Sequence, residues 1–146
     1  IIFFIDLKHF IIPNEITYPL MMLGFLKSFV PNLNLNLFPN FINSLIGGFF
    51  GYVIIWLVIF IYKKFRNKEG MGLGDAKLVS VIGFWFGWIS IPFVIFFSSA
   101  IALIKVIPDL IKNKKNLSSE IPFGPYLIVG CLTFLILNSQ IKLLVN

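Results

Sequence analysis

Long uncharged apolar runs alternate along this chain with short polar segments, most of them basic. A helix crosses a hydrocarbon core of about 30 Å with roughly 20 apolar residues. The stretch 41–62 holds no charged residue and predicts one full span. Ahead of it, 16–30 predicts a shorter span carrying Pro19 and Lys27, and 31–40 alternates Asn with Leu between prolines, as expected of an uncharged loop against the headgroups. Beyond the basic segment 63–69 and a glycine-rich turn, 76–89 predicts a further span, ended by Ser90 and Pro92. Two more are predicted at 93–107 and 123–137, separated by the polar segment 109–120 with Lys112, Lys114 and Lys115. The opening Ile1-Ile2-Phe3-Phe4-Ile5 has no basic start and no small-residue cleavage site, so it reads as the end of a transmembrane helix that begins upstream, not as a signal peptide. The expected fold is therefore all-α: a polytopic transmembrane helix bundle of about five full spans plus the end of a truncated first span, forming one membrane-embedded domain over 1–146.

Composition agrees with the pattern. Hydrophobic residues make up 58% of the chain and charged residues 12%, with a mean hydropathy of +0.95. A water-soluble globule of this size would lack the polar side chains to cover its surface. The net charge of +6 would suggest nucleic acid in a soluble protein, but the basic residues stand in blocks between apolar runs, so membrane topology explains them and no nucleic-acid partner is expected. The lone cysteine, Cys131, lies inside an apolar run and supplies neither a disulfide within the chain nor a metal cluster.

Positive residues near span ends stay in the cytoplasm. If the segment at Lys63 is cytoplasmic, so are Lys8, Lys64, Arg66, Lys68, Lys77, Lys105, Lys112, Lys114 and Lys115, leaving only Lys27 and Lys142 on the other side. An even number of spans then separates Asp6 from Asp75, and both carboxylates return to the cytoplasmic edge. Four-residue glycine spacings, Gly47 with Gly51 and Gly83 with Gly87, are of the kind that lets helices approach closely.

The segment Glu69-Gly70-Met71-Gly72-Leu73-Gly74-Asp75-Ala76-Lys77-Leu78 carries the most chemical information. Its alternating glycines allow close backbone approach. It has neither the Gly-Lys-Ser/Thr ending of a phosphate loop nor the setting of a dinucleotide fold. Alone, Asp75 reads as a helix N-cap and Asp6 as an interfacial charge. Together they suggest more, because ionisable groups at membrane depth are costly and point to function when a partner can be named. Two carboxylates held close in a poorly hydrated site cannot both ionise easily and share a proton. One can then take a proton from water while the other donates to a peptide carbonyl, which hydrolyses an amide without metal or cofactor. His9 is the only histidine and Cys131 lies within a span, so a nucleophilic Cys/His site is poorly supplied.

Three stretches resemble the type IV prepilin (leader) peptidases, membrane aspartyl proteases of the GxGD type. Ile5-Asp6-Leu7-Lys8-His9-Phe10-Ile11-Ile12-Pro13-Asn14 is similar to that family's first-aspartate segment. Glu69 through Leu78 resembles its glycine-rich second-aspartate motif, with a Lys two places after the Asp. Ile121-Pro122-Phe123-Gly124-Pro125-Tyr126 looks like the Pro-Phe-Gly-Pro start of a late span. The resemblance implies that Asp6 and Asp75 are catalytic, and that Gly72, Gly74, Lys77, Pro122 and Gly124 shape the loop or meet substrate. It implies prepilins and pilin-like secretion pseudopilins as substrates, cut at the cytoplasmic face of the cell's inner membrane. Presenilin-like proteases share Gly-x-Gly-Asp, but no Pro-Ala-Leu signature occurs here. Bifunctional members also methylate the new N-terminus, using an upstream segment with paired cysteines. Nothing in these residues resembles that segment, and methylation is not assigned to them.

Two other classes remain open on the residues alone. A small transporter or channel module could use paired carboxylates to bind a cation or relay protons. A secretion-system scaffold would need neither. Lys77 and the basic segments could also meet an acidic substrate residue or anionic lipid, although topology alone accounts for them.

Overall fold

Uncharged, glycine-punctuated runs fold here as helices, and the breaks fall where the backbone cannot continue one. The structure, a computed structural model, describes residues 2–9, 11–30, 39–66, 72–111 and 123–145. Among them are six helices and no strand: α1 (Ile2–His9), α2 (Asn14–Lys27), α3 (Phe41–Arg66), α4 (Leu73–Phe86), α5 (Ser90–Ile111) and α6 (Gly124–Val145). Residues 31–38 of the expected loop at 31–40 and 112–120 of the polar segment at 109–120 lie outside the described residues.

Helix α4 is the centre of the bundle. It packs against α2, α3, α5 and α6, while α1 lies against α6. Most of its first eleven residues are buried, including Ala76, Val79 and Ile82. Its closest neighbour is α3, and glycine makes that approach possible. A Cβ at Gly47 would strike the backbone of Gly83, and one at Gly83 would strike Gly47. One turn further along, a Cβ at Gly51 would lie 2.9 Å from the Val79 carbonyl oxygen. With backbones this near, hydroxyls reach across: Ser80 Oγ donates to the Gly48 carbonyl at 2.7 Å, and Ser44 Oγ donates to the Phe84 carbonyl. The glycine spacing thus does what the sequence suggested for α3, whose small residues seat α4 antiparallel to it.

Gly87 ends α4. Its φ of +81° is in the left-handed region, where a side chain would be strained, and the Pro39 ring packs on it. The expected boundaries at 89 and 93 therefore shift: α4 stops at Phe86 and α5 starts at Ser90. Pro92 does not interrupt a helix; it is the third residue of one, in the first turn where no amide donor is needed. Helix α5 also continues beyond 107 to Ile111, and α6 beyond 137 to Val145.

The far end of α4 is tied to α2 by polar contacts. Trp85 Nε1 donates to the Leu20 carbonyl at 2.9 Å, and Lys27 Nζ donates to the Trp85 carbonyl at 3.1 Å. Helices α5 and α6 run antiparallel, with Gly130 facing Val94 and Ser98, and the Phe93 and Phe134 rings tilted at 44° with centroids 6.1 Å apart.

Among the described residues, two helices, over Phe41–Phe65 and Ser90–Ile107, are long and apolar enough to cross a membrane. Helix α3 is apolar around most of its circumference and turns Phe49, Phe50, Trp56 and Phe60 outward. Lipid, not water, suits such a surface. Helices α2 and α4 have 14 residues each, fewer than a full crossing requires.

Candidate functional site

The alternating directions of the helices gather particular ends on one side of the bundle. The contact of Asp6 with Gly124 brings the end of α1 to the start of α6, and that of Ile12 with Gly74 brings the α1–α2 connection to the start of α4. Asp6 and Asp75 consequently come near one another at the same end of the bundle. Both are buried, at 4% and 6% exposure. Asp6 lies near enough to Asp75 for their charges to oppose one another.

Asp75 is carried on the first turn of α4. Gly72, in extended conformation (φ −81°, ψ 150°), is the N-cap, so Asp75 is not the cap but the third helical residue. From there its carboxyl reaches back to the Gly72 backbone amide, the arrangement an acidic residue adopts at this position of a capping box. Gly72 itself is exposed. Gly74 is half-buried against Ile12, and a Cβ there would come within 2.9 Å of the Ile12 Cβ. The glycine pattern thus has two separate uses: one glycine begins the helix and the other admits a neighbouring chain.

Asp6 is positioned differently. It sits in the middle of α1, and the first residue of α6 comes up against it. The Gly124 backbone amide donates to its carboxyl, and a Cβ at Gly124 would overlap Oδ2. Glycine is required there by space. Even so, Asp6 Oδ2 is fully buried and has no hydrogen-bond partner among the described residues. An oxygen left so is unusual in a folded protein and calls for a reason. The positive ends of two helices, α4 and α6, face the two acids.

The other anticipated residues separate. Lys77 does not face the acids; its Nζ donates to Asn14 Oδ1 at 2.6 Å and lies 5.1 Å from the Tyr18 ring centre. Pro122 lies outside the described residues, as do 69–71 of the glycine-rich motif. Two participants were not anticipated. Ile12, buried between Gly74 and Gly124, gave no signal because it is one isoleucine among many. Asn14 stood in the quoted motif, but its partner could not be read from sequence.

Known proteins resemble this chain over most of its length. Residues 1–107 match the model of the type IV leader peptidase family. A prepilin leader peptidase/N-methyltransferase from Pseudomonas aeruginosa is 36% identical over 138 residues, covering 94% of this chain and 46% of that protein. Proteins of the same name from Aeromonas hydrophila and Xanthomonas campestris pv. campestris are 35% and 38% identical, over 87% and 86% of this chain and 42% of each of those proteins. The chain therefore spans about half the length of the curated relatives it matches. No solved structure matches it.

Proposed function

Because the chain belongs to the type IV leader peptidase family, we propose that it is the membrane-embedded peptidase portion of an enzyme that removes leader peptides from type IV prepilins and pilin-like secretion pseudopilins. Asp6 and Asp75 are its catalytic residues. One observation carries the proposal: two acids from distant segments are buried near one another at one end of the bundle, and one of them keeps an oxygen without a partner among the described residues.

In the reaction, the ionised carboxyl takes a proton from water as the water oxygen adds to the scissile carbonyl carbon. The protonated carboxyl gives its proton to the carbonyl oxygen. The tetrahedral species then collapses: one of its hydroxyls returns a proton to the second carboxyl as the carbonyl reforms, the C–N bond breaks, and the proton held by the first carboxyl passes to the leaving nitrogen. Gly72 and Gly74 shape the loop on which Asp75 is presented, and Gly124 leaves room for the Asp6 carboxyl.

The helices α2 to α6 form five membrane-inserted segments, with the acids at the cytoplasmic face. The antiparallel course of α3 against α4 supports that side, since it carries Lys63 and Lys64 toward the end that holds Asp75. Methyl transfer, the other half of the relatives' name, is not assigned to these residues.

A purified full-length enzyme incubated with a pilin-type precursor provides the test. Asp6→Asn and Asp75→Asn should each abolish processing while the protein stays folded. Full cleavage by either variant removes that residue from the mechanism. Ion-dependent flux in liposomes without precursor processing would favour a transporter instead.

A further inference from the structure

The two aspartates ride on separate pieces of chain, and something has to set the distance between them. Asp75 is fixed to α4. Asp6 belongs to α1, an eight-residue helix whose packing in the bundle is against α6. Between α1 and α2 the segment Ile11-Ile12-Pro13 is not helical, and Pro13 is extended at φ −68°, ψ 132°. Residues 11–13 thus do not join α1 and α2 as one helix, and tertiary contacts set how the two lie relative to each other.

Lys77 stands two residues after Asp75, on the side of α4 turned away from that carboxyl, since residues two apart on a helix do not share a face. Its ammonium donates to Asn14 Oδ1 at 2.6 Å and lies over the Tyr18 ring at 5.1 Å. Asn14 is the first residue of α2 and follows Pro13 directly. The contact therefore joins the turn that carries Asp75 to the far end of the short connection from Asp6. Ile12, wedged against Gly74 and Gly124, locates the middle of the same connection.

We propose that the Lys77–Asn14 pair is a clasp that sets the spacing of the two aspartates, making both positioning residues for the peptidase reaction. The pair is exposed and contributes little to folding. Its effect is on geometry, and reacting groups displaced by about 1 Å can lose about 100-fold in rate. The kinetic part of the inference rests on the peptidase reading above; the structural part does not.

The test has two arms in the full-length protein. In the first, spin labels at exposed Ile11 and Leu73, in a Cys131→Ser background, report the separation of the two segments. Lys77→Met and Asn14→Leu should each broaden the distance distribution, and Asn14→Asp, which keeps an acceptor for the ammonium, should restore it. An unchanged distribution in Lys77→Met overturns the clasp. In the second arm, Lys77→Met and Asn14→Leu should each lower kcat by about 10- to 100-fold with KM unchanged, and the double variant should be no worse than either single one. Asn14→Asp should recover most of what Asn14→Leu loses. Additive losses overturn the pairing. A raised KM whose size depends on substrate charge would make Lys77 a substrate contact and overturn the positioning role. If wild type cleaves nothing yet the distributions broaden as expected, the peptidase reading fails and the clasp stands.

Discussion

The two ends of α4 are built on opposite principles. At its C-terminal end, backbone meets backbone through Gly47 and Gly83, the Ser44 and Ser80 hydroxyls find carbonyls across the helix pair, and Trp85 and Lys27 tie the last turn to α2. At its N-terminal end, two acids are buried together, glycine again clears the space, and an oxygen of Asp6 is left without a partner among the described residues. The same residue type admits backbone at one end and the side chains of Ile12 and Asp6 at the other. Satisfied polar groups make a region rigid, and an unsatisfied one is tolerated where something else is gained.

The contrast can be broken most forcefully at the acids. Asp6→Asn and Asp75→Asn should lower the rate of precursor cleavage by at least about 100-fold, with thermal unfolding in detergent little changed. Unfolding of either variant at markedly lower temperature would make the pair structural. Next comes Gly124→Ala. Its new Cβ displaces the flexible Asp6 carboxyl, so kcat should fall by up to about 100-fold while stability is nearly kept. Gly83→Ala is the counterpart at the other end, where the added carbon meets backbone that has no easy way to yield. It should cost about 1–3 kcal/mol in stability, read from denaturation midpoints, and reduce activity only in proportion to the folded fraction. If Gly83→Ala instead removed activity from fully folded enzyme, the two ends would not be separable. The smallest effect belongs to Ser80→Ala, which gives up one interhelical hydrogen bond and should cost about 0.6 kcal/mol with kcat preserved.

Much of this arrangement could be read from the chain before any coordinates. Uncharged runs marked the helices because a polar residue in lipid is costly. The distribution of Lys and Arg, with an even number of helices between Asp6 and Asp75, put the two acids on one side. Boundaries were harder. Trp88 and Ile89 prolong the apolar run past Gly87, and hydropathy cannot register a φ of +81°. Pro92 looked like a break because its cost depends on its place in a helix, which composition does not give. The role of Asp75 changed for a similar reason: cap and third residue differ by one turn geometry, and only the extended backbone of Gly72 distinguishes them. Ile12 was invisible because contact with two glycines from distant segments leaves no local trace. Lys77 was marked by resemblance, but its bond to Asn14 spans 63 positions and belongs to the tertiary fold.

The brevity of α4 has a consequence of its own. At about 1.5 Å per residue, its 14 residues measure roughly 21 Å, against a hydrocarbon slab of about 30 Å. In a membrane, a helix that short beside the longer α3, α5 and α6 would leave a shortfall in depth for water or bent lipid to fill. The thickness of the host bilayer then sets how deep that recess is, so lipid chain length tunes the hydration of whichever group stands at its floor.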